Sequence, residues 1–261
     1  MSSGVPTDEL ARILVEAAGQ RTSIQPLTDS YPGLDHESAY EVQDAVVQAR
    51  VAAGSVVVGA KLGLTSEAKQ RQMNVSEPLY GFLTDDMQID AGAAVVCADY
   101  IQPRCEPEIA FLLDRDLEGP HVLAAHVLAA TALVFPAIDV LDSRFSGYSF
   151  TITDVIADNS SCAGFALGGT GVRPEGIDLR LVGCAFEKNG VLVATAAGAA
   201  VLGHPAASVA WMVRRLAQRG RGLRAGQVVM SGALTEAVAI SPGDTVVARF
   251  DRLGTVELAC R

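Results

Sequence analysis

The chain has 261 residues, of which 49% are hydrophobic and 19% are charged, and its formal net charge is −10. This composition predicts a folded globular protein of one large domain, or of one domain with a small companion. The acidic balance argues against a general nucleic-acid binder, because phosphate contacts need clustered Lys and Arg, but a bound cation could still reverse the charge locally for an anionic small molecule.

The amino terminus, MSSGVPTDELARIL, lacks a basic segment followed by an apolar core, so no secretory signal is predicted. The most apolar region, residues 121–141, is interrupted by His126, Pro136 and Asp139. It predicts a buried helix followed by a strand, and no membrane span. The five cysteines include no CxxC pair, which indicates reduced thiols in a cytoplasmic protein.

Helical patterns predominate before residue 80. Thr7 is suited to cap the first helix, and Asp35 is suited to cap the second. The predicted elements in this part are a helix at 7–21, a helix at 35–54, a strand at 55–64 and a short helix at 66–73.

Strand patterns predominate from about residue 90 onward. An Asn-Gly pair at 189–190 is a strong hairpin signal, and one helix with Pro205 in its first turn is predicted at 204–220. The predicted strands lie within 101–113, 137–142, 149–157, 178–198, 227–234 and 244–260. This order predicts an α+β protein, with a helical α/β region at 1–90 ahead of a β-rich core at 91–261 in one integrated unit.

Carboxylates on apolar strands are the main chemical signal. In RCEPEIAFLL, strand alternation points Glu106 and Glu108 to one face, with their α-carbons about 7 Å apart. Asp139, in PAIDVLDSR, repeats the pattern on a second predicted strand. Three oxygen donors without a soft ligand suit Mg²⁺ or Mn²⁺ and leave positions open for water or substrate. The alternative is that both glutamates face solvent on an edge strand and that Asp139 pairs with an arginine.

Lys61 and the segment at 157–164 are weaker candidates. Lys61, in GAKLGLTS, is flanked by small residues that would let a ligand approach closely, and the alternative is an ordinary surface lysine. ADNSSCAG, at 157–164, has the donors of a carboxylate-binding loop, but it could equally be a plain turn. The four histidines show no metal-like spacing.

Seven segments carry a family resemblance, in order, over nearly the whole chain: GAKLGLTS, SEPLYGFLTDDM, PRCEPEIAFLLDRDLEGP, PAIDVLDSRF, FTITDVIADNSS, AAGAAVLGHPAASVAW and LRAGQVVMSGALT. They resemble the 2-oxopent-4-enoate hydratase and 4-oxalocrotonate decarboxylase family of the fumarylacetoacetate-hydrolase-like superfamily. The resemblance implies a mixed β-roll or sandwich core, a divalent metal, usually Mg²⁺, and a homo-oligomer. It also implies meta-cleavage degradation of aromatic compounds, an anionic 2-oxo acid substrate and association with the pathway's partner hydratase.

The resemblance also implies roles for single residues. The metal ligands fall on Glu106, Glu108 and Asp139, although many members have Glu at the third position. Asp139 is shorter, so it would ligate a slightly displaced metal or act through a water. The active-site lysine falls on Lys61, and the substrate-contacting serine falls on Ser161.

One position separates the two activities of this family. Hydratases often carry Asp in an EPDYG-like segment, whereas this chain has Leu79 in EPLYG. A carboxylate there could manage the proton of an added water, and its absence removes repulsion against a distal substrate carboxylate. We therefore predict metal-dependent decarboxylation of 2-oxohex-3-enedioate (4-oxalocrotonate). Hydration of 2-hydroxypenta-2,4-dienoate is the alternative, in which case Leu79 is a plain core residue.

Two further alternatives belong to other classes. C–C bond hydrolysis or oxaloacetate-type decarboxylation would call for a catalytic His–Glu pair near the amino-terminal part, for which His36 lies in a poor context. A non-catalytic partner of another pathway enzyme is disfavoured by the intact set of carboxylates.

Overall fold

The computed structural model describes residues 6–66, 70 and 77–261. Its helices are α1 (Thr7–Gln20), α2 (Leu27–Ser30), α3 (His36–Ala52), α4 (Ala124–Ala129), α5 (Ile152–Ala157) and α6 (Pro205–Gln218). Its strands are β1 (Val57–Gly63), β2 (Leu79–Thr84), β3 (Ala94–Val95), β4 (Arg104–Leu113), β5 (Thr131–Leu141), β6 (Cys162–Leu167), β7 (Gly183–Lys188), β8 (Val191–Ala197), β9 (Val228–Ala233), β10 (Val238–Ala239), β11 (Thr245–Phe250) and β12 (Gly254–Cys260).

The strands form two sheets. The larger has the order β2-β1-β9-β4-β5-β6, with β10 paired to β4, and the smaller has the order β3-β12-β11-β7-β8. Strands β11 and β12 contact β5, so the two sheets pack against each other at this strand. This mixed architecture with a curled sheet confirms the predicted α+β class.

The larger sheet crosses the predicted domain boundary. Strands β1 and β2 precede residue 90, yet β1 pairs in parallel with β9, which in turn pairs with β4. Helix α1 packs on α3, and α3 packs on α5. The division at residue 90 stays a prediction, while the strand pairing joins both parts in one sheet.

Capping explains where the two long amino-terminal helices begin. Asp35 caps α3 as predicted, because its side chain accepts a hydrogen bond from the Ser38 N–H at 2.8 Å. The predicted cap at Thr7 is wrong, since Thr7 is already helical and Pro6 precedes it without a side-chain cap. Most of the short helix predicted at 66–73 lies outside the described residues.

The segment 149–157 corrects a second prediction. It was expected to be a strand, but Ile152–Ala157 form helix α5. Thr151 and Asp154 make a capping box, in which each side chain accepts from the other's backbone N–H. This local pairing stabilises the helix start and outweighs the β-type composition of the segment.

Two further predictions hold, the hairpin at 189–190 and the helix that begins near Pro205, whereas the helix predicted to be buried within 121–141 has only Val127 buried. Asn189 and Gly190 join β7 to β8 with left-handed φ angles of 54° and 75°, which confirms the hairpin. Helix α6 begins at Pro205, and the His204 ring accepts from the Ala206 N–H at 2.9 Å. Among the described helices, none is both long and apolar enough to span a bilayer.

Candidate metal centre

Strand β4 carries two glutamates through the middle of the larger sheet. It lies between β5 and β9 and pairs antiparallel with both. Glu106 stands directly opposite Asp139 on β5. Directly opposed residues of antiparallel strands point to the same face, and Glu108 joins them from two residues along β4. The sheet therefore aims all three carboxylates at one place.

The three carboxylates form a compact buried cluster. One oxygen from each lies within 4.8 Å of the others. Glu108 and Asp139 are 0% exposed, and Glu106 is 8% exposed. The alternative that the glutamates face solvent on an edge strand is therefore wrong, and Asp139 pairs with a lysine instead of an arginine.

The electrostatics of Glu108 show what the cluster needs. Burial and the nearby charge of Asp139 raise the pKa of Glu108 well above its usual value, although Lys61 and the Gly232 N–H oppose this. Oε2 accepts from that N–H at 2.7 Å, whereas Oε1 is buried without a hydrogen-bond partner among the described residues. A buried oxygen left in this way is costly, and a cation would satisfy it. Carboxylate oxygens are the ligands that a hard divalent ion prefers.

Lys61 reaches the same place from β1. It is 1% exposed, so the alternative of a surface lysine is wrong. Its ammonium forms an ion pair with Asp139 and donates to the Ser160 carbonyl oxygen at 3.3 Å. Burial is the largest single influence and would lower the pKa of Lys61, but the charge of Asp139 and the hydrogen bond to it, together with Cys162 and Glu108, raise the pKa above its usual value. The lysine is therefore held as a cation beside the carboxylates.

A left-handed loop forms the neighbouring wall. Asn159, Ser160 and Ser161 have φ angles of 49°, 58° and 52°. The Asn159 side chain accepts from the Phe82 N–H at 2.8 Å and donates to the Phe82 carbonyl at 2.9 Å. A Cβ at Gly81 would lie 2.6 Å from the Asn159 carbonyl oxygen. The loop can therefore approach β2 this closely only because residue 81 is a glycine.

A buried ion pair supports this loop from behind. Arg144 pairs with the Asp158 carboxylate and also donates to the Asp158 carbonyl oxygen at 2.5 Å. Burial raises the pKa of Asp158 to about 6, although the Arg144 charge opposes the shift. The Ser161 hydroxyl donates to Asp158 at 3.2 Å. The serine predicted to contact substrate is thus also part of the loop's internal bonding.

A cavity of about 600 Å³ opens beside the carboxylate cluster. Four of the six predicted site residues line it: Lys61, Leu79, Glu106 and Ser161. The other two, Glu108 and Asp139, are fully buried within the carboxylate cluster. The structure therefore brings all six together, at the junction of a cavity and a buried acidic centre.

Leu79 belongs both to the core and to the cavity wall. It stands opposite Gly63 across the β1–β2 pair and is 1% exposed. A Cβ at Gly63 would lie 2.8 Å from Leu79 Cδ1 and 2.9 Å from Ser160 Oγ. Because Gly63 has no side chain, Leu79 and Ser160 can both pack directly against the backbone of β1 at this position.

Arg104, Tyr148 and Ser160 also line the cavity, and none of them was named individually as a candidate from the sequence. The guanidinium carbon of Arg104 lies 3.8 Å from the centroid of the Tyr148 ring. The sequence does contain a signal for Arg104, because it lies two residues before Glu106 and the two side chains therefore share one face of β4. Tyr148 and Ser160 lie in turns with left-handed backbone, both with φ of 58°, and such turns leave little trace in the sequence.

Comparison with known proteins gives a consistent result. Residues 48–260 match the family model described as fumarylacetoacetate (FAA) hydrolase C-terminal. The chain is 40% identical over 247 residues to a 4-oxalocrotonate decarboxylase of Pseudomonas putida, covering 95% of this chain and 94% of the relative. It is also 40% identical over 247 residues to a 2-hydroxyhexa-2,4-dienoate hydratase of Comamonas testosteroni, covering 94% of each.

A solved structure shows the same fold over nearly the whole chain. It is a 4-oxalocrotonate decarboxylase from Pseudomonas putida G7, complexed with magnesium and adipate. The two superpose with a TM-score of 0.95 at 39% identity, covering 98% of this chain and 97% of that one.

Proposed function

The chain belongs to the fumarylacetoacetate (FAA) hydrolase C-terminal family, and from that premise we propose that it is a Mg²⁺-dependent decarboxylase of 2-oxohex-3-enedioate. Its relatives include both decarboxylases and hydratases, so it is an enzyme of the lyase kind. The observation that carries the choice between them is Leu79, an apolar side chain in the cavity wall where hydratases of the family often have Asp. The proposed setting is the meta-cleavage degradation of aromatic compounds.

The bonding changes require an electron sink and no water nucleophile. The C5–C6 bond breaks, C6 leaves as CO₂, and its electron pair moves through C4 and C3 onto the C2 oxygen. One proton on that oxygen then completes 2-hydroxypenta-2,4-dienoate. A divalent cation held by Glu106, Glu108 and Asp139 would supply Lewis-acid polarisation of the 2-oxo group.

The chain's own residues suit the remaining tasks. Lys61 places a fixed ammonium beside the cluster, where it can stabilise negative charge on the C2 oxygen and manage its protonation. Ser161, on the loop, is proposed to contact the substrate. Leu79 adds no charge to the cavity wall, so nothing at this position repels the second carboxylate of the substrate.

The size of the cavity supports this substrate class. Its volume of about 600 Å³ lies within the range of small-molecule sites. The similar solved decarboxylase holds adipate, a six-carbon dicarboxylate with as many carbons as the proposed substrate. Magnesium in that same structure supports Mg²⁺ as the metal, with Mn²⁺ as a related choice.

The test offers purified protein each substrate separately. With Mg²⁺, 2-oxohex-3-enedioate should release CO₂, and EDTA should stop the release. The second candidate, a hydratase, is favoured by the hydratase relative at 40% identity. Water addition to 2-hydroxypenta-2,4-dienoate, with no CO₂ from the dicarboxylate, would reject the decarboxylase and support the hydratase.

Leu79 gives a sharper prediction. We expect Leu79→Asp to lower kcat/KM for the dicarboxylate at least about tenfold below Leu79→Asn, since the two side chains have nearly the same shape and only Asp repels the distal carboxylate. Steady-state kinetics measure the difference, and thermal melts show whether both variants are folded. Equal kinetics in the Asp and Asn variants would contradict the electrostatic argument.

The proposal extends to the protein's surroundings. We place it in the cytoplasm as a homo-oligomer that associates with the partner hydratase of the pathway. The edge strand β8 supports self-association, because Val191, Leu192 and Val193 are 64%, 57% and 43% exposed there. Sedimentation of the protein, alone and with that hydratase, tests both associations.

A further inference from the structure

Arg104 is a cation in the cavity wall that has no ion-pair partner among the described residues. Lys61, which also lines the cavity, is already paired with Asp139. The other charged side chains of the lining, Glu106 and Glu236, are acidic. Within the described part of the lining, Arg104 is thus the cation available to an anionic group away from the carboxylate cluster.

Tyr148 holds the guanidinium in a defined position. The guanidinium carbon stacks 3.8 Å from the ring centroid, and the Tyr148 hydroxyl donates to the Leu141 carbonyl at 3.1 Å. Leu141 is the residue opposite Arg104 in the β4–β5 pair. The Phe150 ring packs against Tyr148 with 6.2 Å between centroids. A guanidinium stacked on a fixed ring keeps its in-plane donors free to form two parallel bonds to a carboxylate.

The spacing along β4 matches a dicarboxylate. Exposure rises from 0% at Glu108 to 8% at Glu106, and Arg104 is partly exposed, so exposure increases along the strand from the buried cluster to Arg104. The α-carbons of Arg104 and Glu106 are about 7 Å apart on the same face. The extended chain from C2 to C6 of a six-carbon dicarboxylate spans about 5 Å. A substrate with its 2-oxo acid end at the cluster can therefore place its far carboxylate at Arg104.

We propose that Arg104 binds the distal carboxylate of the substrate and selects 2-oxo acids that carry a second carboxylate. The placement of the 2-oxo acid end rests on the function proposed above. Arg104 attracts the substrate carboxylate while that carboxylate is negatively charged, and this charge is lost when the group leaves as CO₂. The contact therefore contributes mainly to ground-state binding, and its removal should raise KM more than it changes kcat.

Two ligands that differ only at the far end test the proposal: 2-oxohexanedioate and 2-oxohexanoate. Calorimetry measures the binding of each to the Mg²⁺-loaded protein. The wild type should bind the dicarboxylate about 10- to 100-fold more tightly, which is the usual range for a charge-assisted pair. Arg104→Met and Arg104→Gln should reduce this preference to within about threefold, and Arg104→Lys should keep part of it.

The matched control is Arg252→Met, whose arginine side chain is 63% exposed and pairs with Asp251. It should keep the full preference. An unchanged preference in both neutral Arg104 variants would overturn the proposal, and so would an equal loss of both ligands. Failure of the proposed function would show differently, as wild-type protein that releases no CO₂ from 2-oxohex-3-enedioate. The binding comparison needs no turnover, so the two failures are distinguishable.

Discussion

Glu108→Gln is expected to lower Mg²⁺-dependent kcat/KM by at least about 100-fold, because even the groups that only orient metal ligands are worth 10- to 100-fold. The variant should also lose the rise in melting temperature that Mg²⁺ gives the wild type. Gln has nearly the same shape as Glu and keeps an oxygen to accept from the Gly232 N–H. It removes one of three clustered charges, so the metal-free variant should melt no more than about 4 °C below the wild type.

A matched change elsewhere isolates this effect. Glu257 lies exposed on β12, and Glu257→Gln should keep both turnover and the Mg²⁺ effect on melting. Kinetics and thermal melts with Mg²⁺ or EDTA give all the values needed. If Glu108→Gln retains the full metal-induced rise, the carboxylate cluster is not the metal site.

Lys61→Met carries the second large effect. It should lower kcat at least about 100-fold, the lower end of what a positioned proton-transfer group contributes. It should also lower the free energy of unfolding of the metal-free protein by about 3–5 kcal/mol, because Asp139 stays buried after its ammonium is removed. Denaturant unfolding in EDTA measures the second change.

The double variant Lys61→Met/Asp139→Asn tests whether the stability loss comes from the unpaired charge of Asp139. Neutralising Asp139 should restore most of the lost free energy of unfolding. Full activity in Lys61→Met would show that the lysine has no part in the reaction. Turnover of the double variant does not enter this comparison, because Asp139→Asn also removes a proposed metal ligand.

The sequence could predict that Glu106 and Glu108 lie together because strand alternation is a local property. Glu106 and Glu108 share a face on any regular strand, and the structure confirms it. The pairing of Asp139 opposite Glu106 depends on register, which long-range contacts decide. The sequence therefore predicts only which types of ligand atom are present. That one oxygen of each carboxylate lies within 4.8 Å of the others is a result of the fold.

Other parts of the site could not be predicted for different reasons. The capping box of Thr151 and Asp154 turned an expected strand into helix α5, which leads into the left-handed loop. The stacking of Arg104 on Tyr148 depends on a left-handed turn, and bulky side chains give no local signal for that conformation. Lys61 and the loop that carries Ser161 were weak candidates from the residues alone, because a lysine between small residues and a serine in a polar loop are both ordinary in sequence. Their proposed roles come from the family resemblance.

The alignment of Glu106 with Asp139 has a consequence for how the protein matures. A slip of one residue between β4 and β5 would turn every side chain of one strand to the opposite face, and Asp139 would leave the cluster. A divalent ion that needs all three carboxylates would bind only the sheet with the correct register. Metal binding would therefore stabilise only the chain with the correct β4–β5 register, and it would favour that register over a shifted one.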